Sequence, residues 1–108
     1  MQLTLLKGYP DFVGKRATFV GYGNGPAVYN QATGDIVTLP LPNYYIDSLQ
    51  SGINSVSGQF FVRAQPVGVG PRQKWALFWY TAAGASVANN ATTLAVEQIQ
   101  IGGLCGQY

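Results

Sequence analysis

The side chains suited to chemistry are few: Asp11, Asp35, Asp47 and Glu97, the cations Lys7, Lys15, Arg16, Arg63, Arg72 and Lys74, and one thiol, Cys105. No histidine accompanies them, which removes the usual general base and the commonest metal ligand. One cysteine without histidine makes neither a structural zinc site nor a Cys-His nucleophile pair. The carboxylates are scattered, so an acid/base pair would have to be assembled by the fold. A serine activated by lysine is not marked by any motif. The reading is therefore no catalytic residues, no cofactor, no metal and no enzyme.

Two glycine-rich stretches invite a phosphate-loop reading, and both fail. Gly21-Tyr22-Gly23-Asn24-Gly25 is followed by neither a helix nor Lys-Ser/Thr. In Gly68-Val69-Gly70-Pro71-Arg72-Gln73-Lys74 the lysine enters a strand, and Pro71 removes an N–H that a phosphate would need. Asn90-Ala91-Thr92 matches a glycosylation sequon, but no secretory signal supports it. Cations do stand beside aromatics: Arg16 with Phe19 and Tyr22, Arg63 with Phe61, and Arg72 and Lys74 with Trp75. Single-strand nucleic-acid binders use that combination. A net charge of only +2 gives such binding a thin field, so nucleic acid ranks below a protein partner. Tyr9, Tyr22, Tyr44 and Tyr45 are candidates for a sugar platform, a pattern that core packing shares.

These residues must be carried by strands. The densest apolar run, Lys74 to Thr81, sends Trp75, Leu77 and Trp79 to one face and Ala76, Phe78 and Tyr80 to the other. That pattern predicts a buried interior strand. Strands are also expected over Ala17–Tyr22, Gln59–Val67 and Leu94–Ile101, the last with a bulge near Glu97-Gln98 where the apolar parity changes. Over Tyr44–Leu49, Asn43 could cap a single helical turn, but paired tyrosines followed by Ile46 favour a strand. Ala27–Asn30 and Ile36–Leu39 around a Gly-containing loop read as a hairpin, ended by Pro40-Leu41-Pro42. Gly8-Tyr9-Pro10-Asp11, Asn24-Gly25 and Val67-Gly68-Val69-Gly70-Pro71 read as turns. Gln50–Gly58 is expected as a loop with a short extended piece at Ile53–Val56, and Ala82–Thr93 as a long loop. Gln2–Leu6 is an edge strand or docking arm. Gly102–Tyr108 reads as a tail that orders only on docking.

No amphipathic helix or repeat emerges. Short strands between Gly/Pro turns imply a single all-β domain, residues 1–108, an antiparallel sandwich. A jelly roll ranks first, with an immunoglobulin-like sandwich and an OB-type barrel as alternatives. The lone Cys105 excludes an internal disulfide. No apolar run approaches the ~20 residues needed to span a bilayer, so no membrane is expected.

Only 9% of residues are charged, against about 25% in a typical soluble domain, which favours life against a partner surface. In length, strand-rich pattern, low charge and unsignalled start, the whole chain resembles the small decoration, or cement, proteins of tailed bacteriophage capsids, several of which are jelly rolls. No motif carries that resemblance. It implies a homo-oligomer made in the host cytoplasm and placed on the virion surface, where it binds the major capsid protein and bridges capsomers. A tail or head–tail joining part shares the same composition. The expected contacts lie in segments 1–12 and 102–108: Leu3, Leu5, Leu6, Tyr9, Leu104 and Tyr108, apolar residues that free termini would leave exposed.

Overall fold

The computed structural model describes residues 1–68 and 74–108, arranged as two antiparallel sheets packed face to face. Nine strands follow in chain order: β1 Thr4–Leu5, β2 Asp11–Val13, β3 Arg16–Asn24, β4 Asp35–Ile36, β5 Tyr44–Leu49, β6 Ile53–Asn54, β7 Phe60–Val67, β8 Lys74–Thr81 and β9 Gln98–Gln107. The first sheet runs β1-β3-β9-β5, with β2 also on β3; the second runs β4-β8-β7-β6. This is the expected all-β sandwich. The pairs β3/β9, β4/β8 and β6/β7 are nested in sequence, one inside the next.

Alternation decides which side chains meet between the sheets. Phe19 pairs with Gly103, Gly21 with Ile101 and Ala17 with Cys105, so these positions of β3 and β9 share the inner face. Val62 pairs with Trp79 and Ala64 with Leu77, giving the facing layer from β7 and β8. Phe19, Ile99, Ile101, Cys105, Val62, Leu77 and Trp79 are all essentially inaccessible. Leu3, Tyr29, Val37, Val87 and Leu94 close the open sides of this core. Fully burying a Leu, Ile or Phe contributes about 1.5–3 kcal/mol, so this layer dominates stability.

The strands over Ala17–Tyr22, Tyr44–Leu49, Gln59–Val67 and Lys74–Thr81 form as expected. Three expectations are corrected. Gly102–Tyr108 is no loose tail: residues 102 to 107 complete β9, an interior strand bonded to β3 on one side and β5 on the other. Its glycines are required there. A Cβ on Gly103 would collide with the Ser48 carbonyl, and one on Gly106 would lie 2.6 Å from the Tyr45 hydroxyl. The Ala27–Asn30 arm of the hairpin is not a strand, and its other arm shrinks to β4. Asn30 Oδ1 instead accepts from the Ala32 and Thr33 N–H groups and builds a local turn. Leu94 belongs to a 3-10 turn, Thr93–Val96, so β9 starts after Glu97, where a bulge was expected. The bulge lies in β5, between Ile46 and Ser48. The turn expected at Val67–Pro71 falls mostly outside the described residues.

Candidate interaction surfaces

Three of the four carboxylates are consumed by the fold. Asp35 is buried; its Oδ1 takes the Met1 ammonium at 2.6 Å, and its Oδ2 accepts from Trp79 Nε1 at 3.4 Å. That ammonium also donates to the Ile36 carbonyl. Glu97 is buried and accepts from Ser57 Oγ at 2.5 Å. Ser57 lies 3.1 Å from Ser55 Oγ, and these hydroxyls also accept from the Gln59 and Phe60 N–H groups. The cluster ties the β6–β7 turn to the start of β9, with Glu97 Oε1 and both serine hydroxyls engaged in that task. Asp47 pairs with Arg16 on the exposed face of the first sheet. Of these four carboxylates, Asp11 is the one with no bonding partner among the described residues. No group of three or more potential metal ligands occurs among the described residues. There too, no helix is long and apolar enough to cross a membrane.

Burial governs the two shifted groups. Desolvation pushes the Tyr29 hydroxyl above its usual value, partly offset by the Trp79 N–H it accepts at 3.0 Å; the charges of Tyr80 and Asp35 add slightly to the rise. Burial likewise raises the Cys105 thiol, which lies inside the first sheet. A raised, inaccessible thiol is a packing group and a poor nucleophile.

The six expected contact residues divide. Leu3 is core, and Leu5 packs half-buried against it. Leu6 is half-buried where its N–H bonds to Val20, so this stretch is the edge-strand option and not a free docking arm. Tyr9, Leu104 and Tyr108 remain exposed. Leu104 faces outward on β9, paired with Thr18, which itself pairs with Asp11. Around them lies a hollow of about 220 Å³ lined by Asp11, Val13, Arg16, Ala17, Thr18 and Leu104. Val13 is 82% exposed and Leu104 40%, so the apolar part of this hollow is open to a partner. Val13 was missed because a three-residue edge strand leaves almost no periodic signal.

The cation–aromatic pairs divide as well. Phe19 points into the core while Arg16 faces outward, so that set is not assembled. Lys74 and Trp75 take opposite sides of β8, and Arg72 lies outside the described residues. Arg63 does meet Phe61: its guanidinium sits 5.8 Å from that ring centroid and 5.2 Å from that of Tyr80. Phe61 and Tyr80 are cross-strand partners, stacked at 5.2 Å and 15°. Phe78 is opposite Arg63 on the same outer face.

Of the tyrosines proposed for a platform, Tyr44 and Tyr45 line a cleft of about 220 Å³ with Trp75, Tyr108 and Lys74; Tyr9 and Tyr22 do not line it. Tyr45 and Tyr108 meet edge-on at 5.2 Å. The geometry thus defines a β-sandwich whose polar groups are largely spent on its own turns. No protein-family model matches the chain, and neither a curated protein nor a solved structure matches it.

Proposed function

We propose that this is a structural virion protein, which binds the outer capsid surface of a tailed bacteriophage and stabilises the shell by bridging capsomers. One observation supports this reading above others. The fold takes two of its four carboxylates inside and leaves apolar side chains outside: Phe12, Val13, Leu104 and Tyr108 are exposed while Asp35 and Glu97 are buried. Such a surface suits docking against protein. The nested strand pairs support the jelly-roll reading, though among the described residues β5 has β9 as its one sheet partner and β8 lies beside β7, where a full roll would pair β5 twice and seat β8 beside β6. The mechanism is mass action: a protein that binds the assembled shell and not its dissociated parts stabilises the shell, and many weak copies add up. The major capsid protein is the partner, and the virion surface the location.

The test is co-sedimentation with expanded shells. Tyr108→Asp should keep the fold, since the side chain is exposed outside the core, and should lower shell occupancy at least severalfold by spoiling the face that carries it. Unchanged occupancy removes this face from the contact. A second reading, single-strand nucleic-acid binding, is favoured by Arg63 over Phe61 and Tyr80. Tight oligonucleotide binding at low salt, weakening steeply as salt rises, would put that reading first.

A further inference from the structure

The two outer faces of the sandwich differ in charge. On the second sheet, the outward positions of β7 and β8 carry Phe61, Arg63 and Gln65 beside Lys74, Ala76, Phe78 and Tyr80. No carboxylate occupies that face among the described residues; Asp35, in β4, pairs with Leu77 on the inner side. On the first sheet, the hollow beside β2 is rimmed by Asp11, the carboxylate left without a partner among the described residues, and walled by Val13 and Leu104. The one cation lining it, Arg16, is neutralised by Asp47, and Lys15 sits in the adjoining β2–β3 turn.

We propose that these surfaces are the two halves of one interface, and that the occupant of each is a second copy of this chain. The Arg63 guanidinium of one copy enters the hollow of the next and pairs with Asp11. Its stem and the Phe61 and Tyr80 rings then cover Val13 and Leu104. Each half supplies what the other lacks: a planar cation on an aromatic bed, against an unpaired carboxylate in an apolar cup. A hollow of about 220 Å³ is ample for a guanidinium. Because the halves lie on opposite faces of the sandwich, the contact is heterologous, and copies add head to tail into a ring or an open row. This deepens the assembly reading by naming one partner, yet it can fail separately from it.

The experiment is sedimentation velocity from micromolar to near-millimolar concentration, using wild type, Arg63→Glu and Asp11→Lys. Both residues are exposed, so unchanged melting curves are expected for both variants. Wild type should gain mass with concentration and lose it with salt. Each variant should associate at least about tenfold more weakly, since a like charge now faces the pairing group. An equimolar mixture of the two variants should recover the association that each has lost: the intact aromatic face of Asp11→Lys fits the intact hollow of Arg63→Glu, and the two substituted positions carry opposite charges. Wild type that stays monomeric throughout overturns the proposal, as do variants that associate like wild type or a mixture that does not pair. A monomer that binds fluorescein-labelled oligothymidine through Arg63 overturns it too, assigning the face to nucleic acid. A monomer that still decorates shells overturns this pairing alone. A protein that self-associates but ignores shells overturns the decoration role alone.

Discussion

β8 and β9 hold matching positions, each an interior strand of its sheet, yet they are built from opposite materials. β8 is KWALFWYT and β9 is QIQIGGLCGQ. β8 contributes volume: Leu77 and Trp79 fill the space between the sheets. β9 contributes room. Gly103 lets the Ser48 backbone and the Phe19 ring close in, and Gly106 lies under Tyr45. A strand can therefore be essential through what it omits, because close packing is a property of the pair.

Deleting residues 102–108 breaks that comparison most severely. β5 would lose the one sheet partner it has among the described residues, and β3 about half of its ladder with β9. The expected outcome is an unfolded chain, with loss of the β signal in far-ultraviolet circular dichroism. A folded truncated protein would return the segment to the status of a tail. The comparison is sharpened by one substitution in each strand. Trp79→Ala should cost about 3–5 kcal/mol in urea unfolding, through the cavity it leaves. Gly103→Val should cost about 3 kcal/mol by overpacking against backbone that cannot move aside. A mild effect at Gly103 would mean that β9 is ordinary filler.

Smaller effects probe the groups that β8 and β9 bury. Tyr29→Phe leaves the Trp79 N–H without its acceptor, at an expected cost of about 1–3 kcal/mol. Tyr29 and Cys105 both titrate higher in the folded chain than in the unfolded one. Above the ordinary thiol and phenol values the unfolded chain therefore releases protons that the folded one retains. Their stabilisation is complete below those values and fades as pH rises through the raised ones. Melting temperature should thus fall in the alkaline range, and fall less in Tyr29→Phe and in Cys105→Ala.

How legible each strand was follows from the same contrast. β8 was plain because apolar density marks a strand that fills space. β9 was half-hidden: its glycines imitate a tail. The surviving signal was parity, since Ile99, Ile101, Gly103 and Cys105 share the inner face. Read through the glycine, that alternation continues to Cys105. Tyr29 was missed for a different reason. It looked like a hairpin residue but acts as a plug, its hydroxyl accepting from Trp79 where a neighbouring strand's carbonyl would. Asp35 was opaque because its cationic partner is a backbone amine 34 positions away, which no side-chain pattern announces. Among the surface groups, the Arg63–Phe61 contact was readable as alternate residues on one strand face. The hollow of Asp11, Val13 and Leu104 joins three strands and exists only after folding.

The proposed role as a shell component is tested most directly by quantitative mass spectrometry of purified phage particles from a host carrying this gene. The account predicts the protein in fixed, many-copy ratio to the shell protein, on expanded particles and not on free subunits. Its absence from the particles, with the chain abundant in the lysate, would contradict the account.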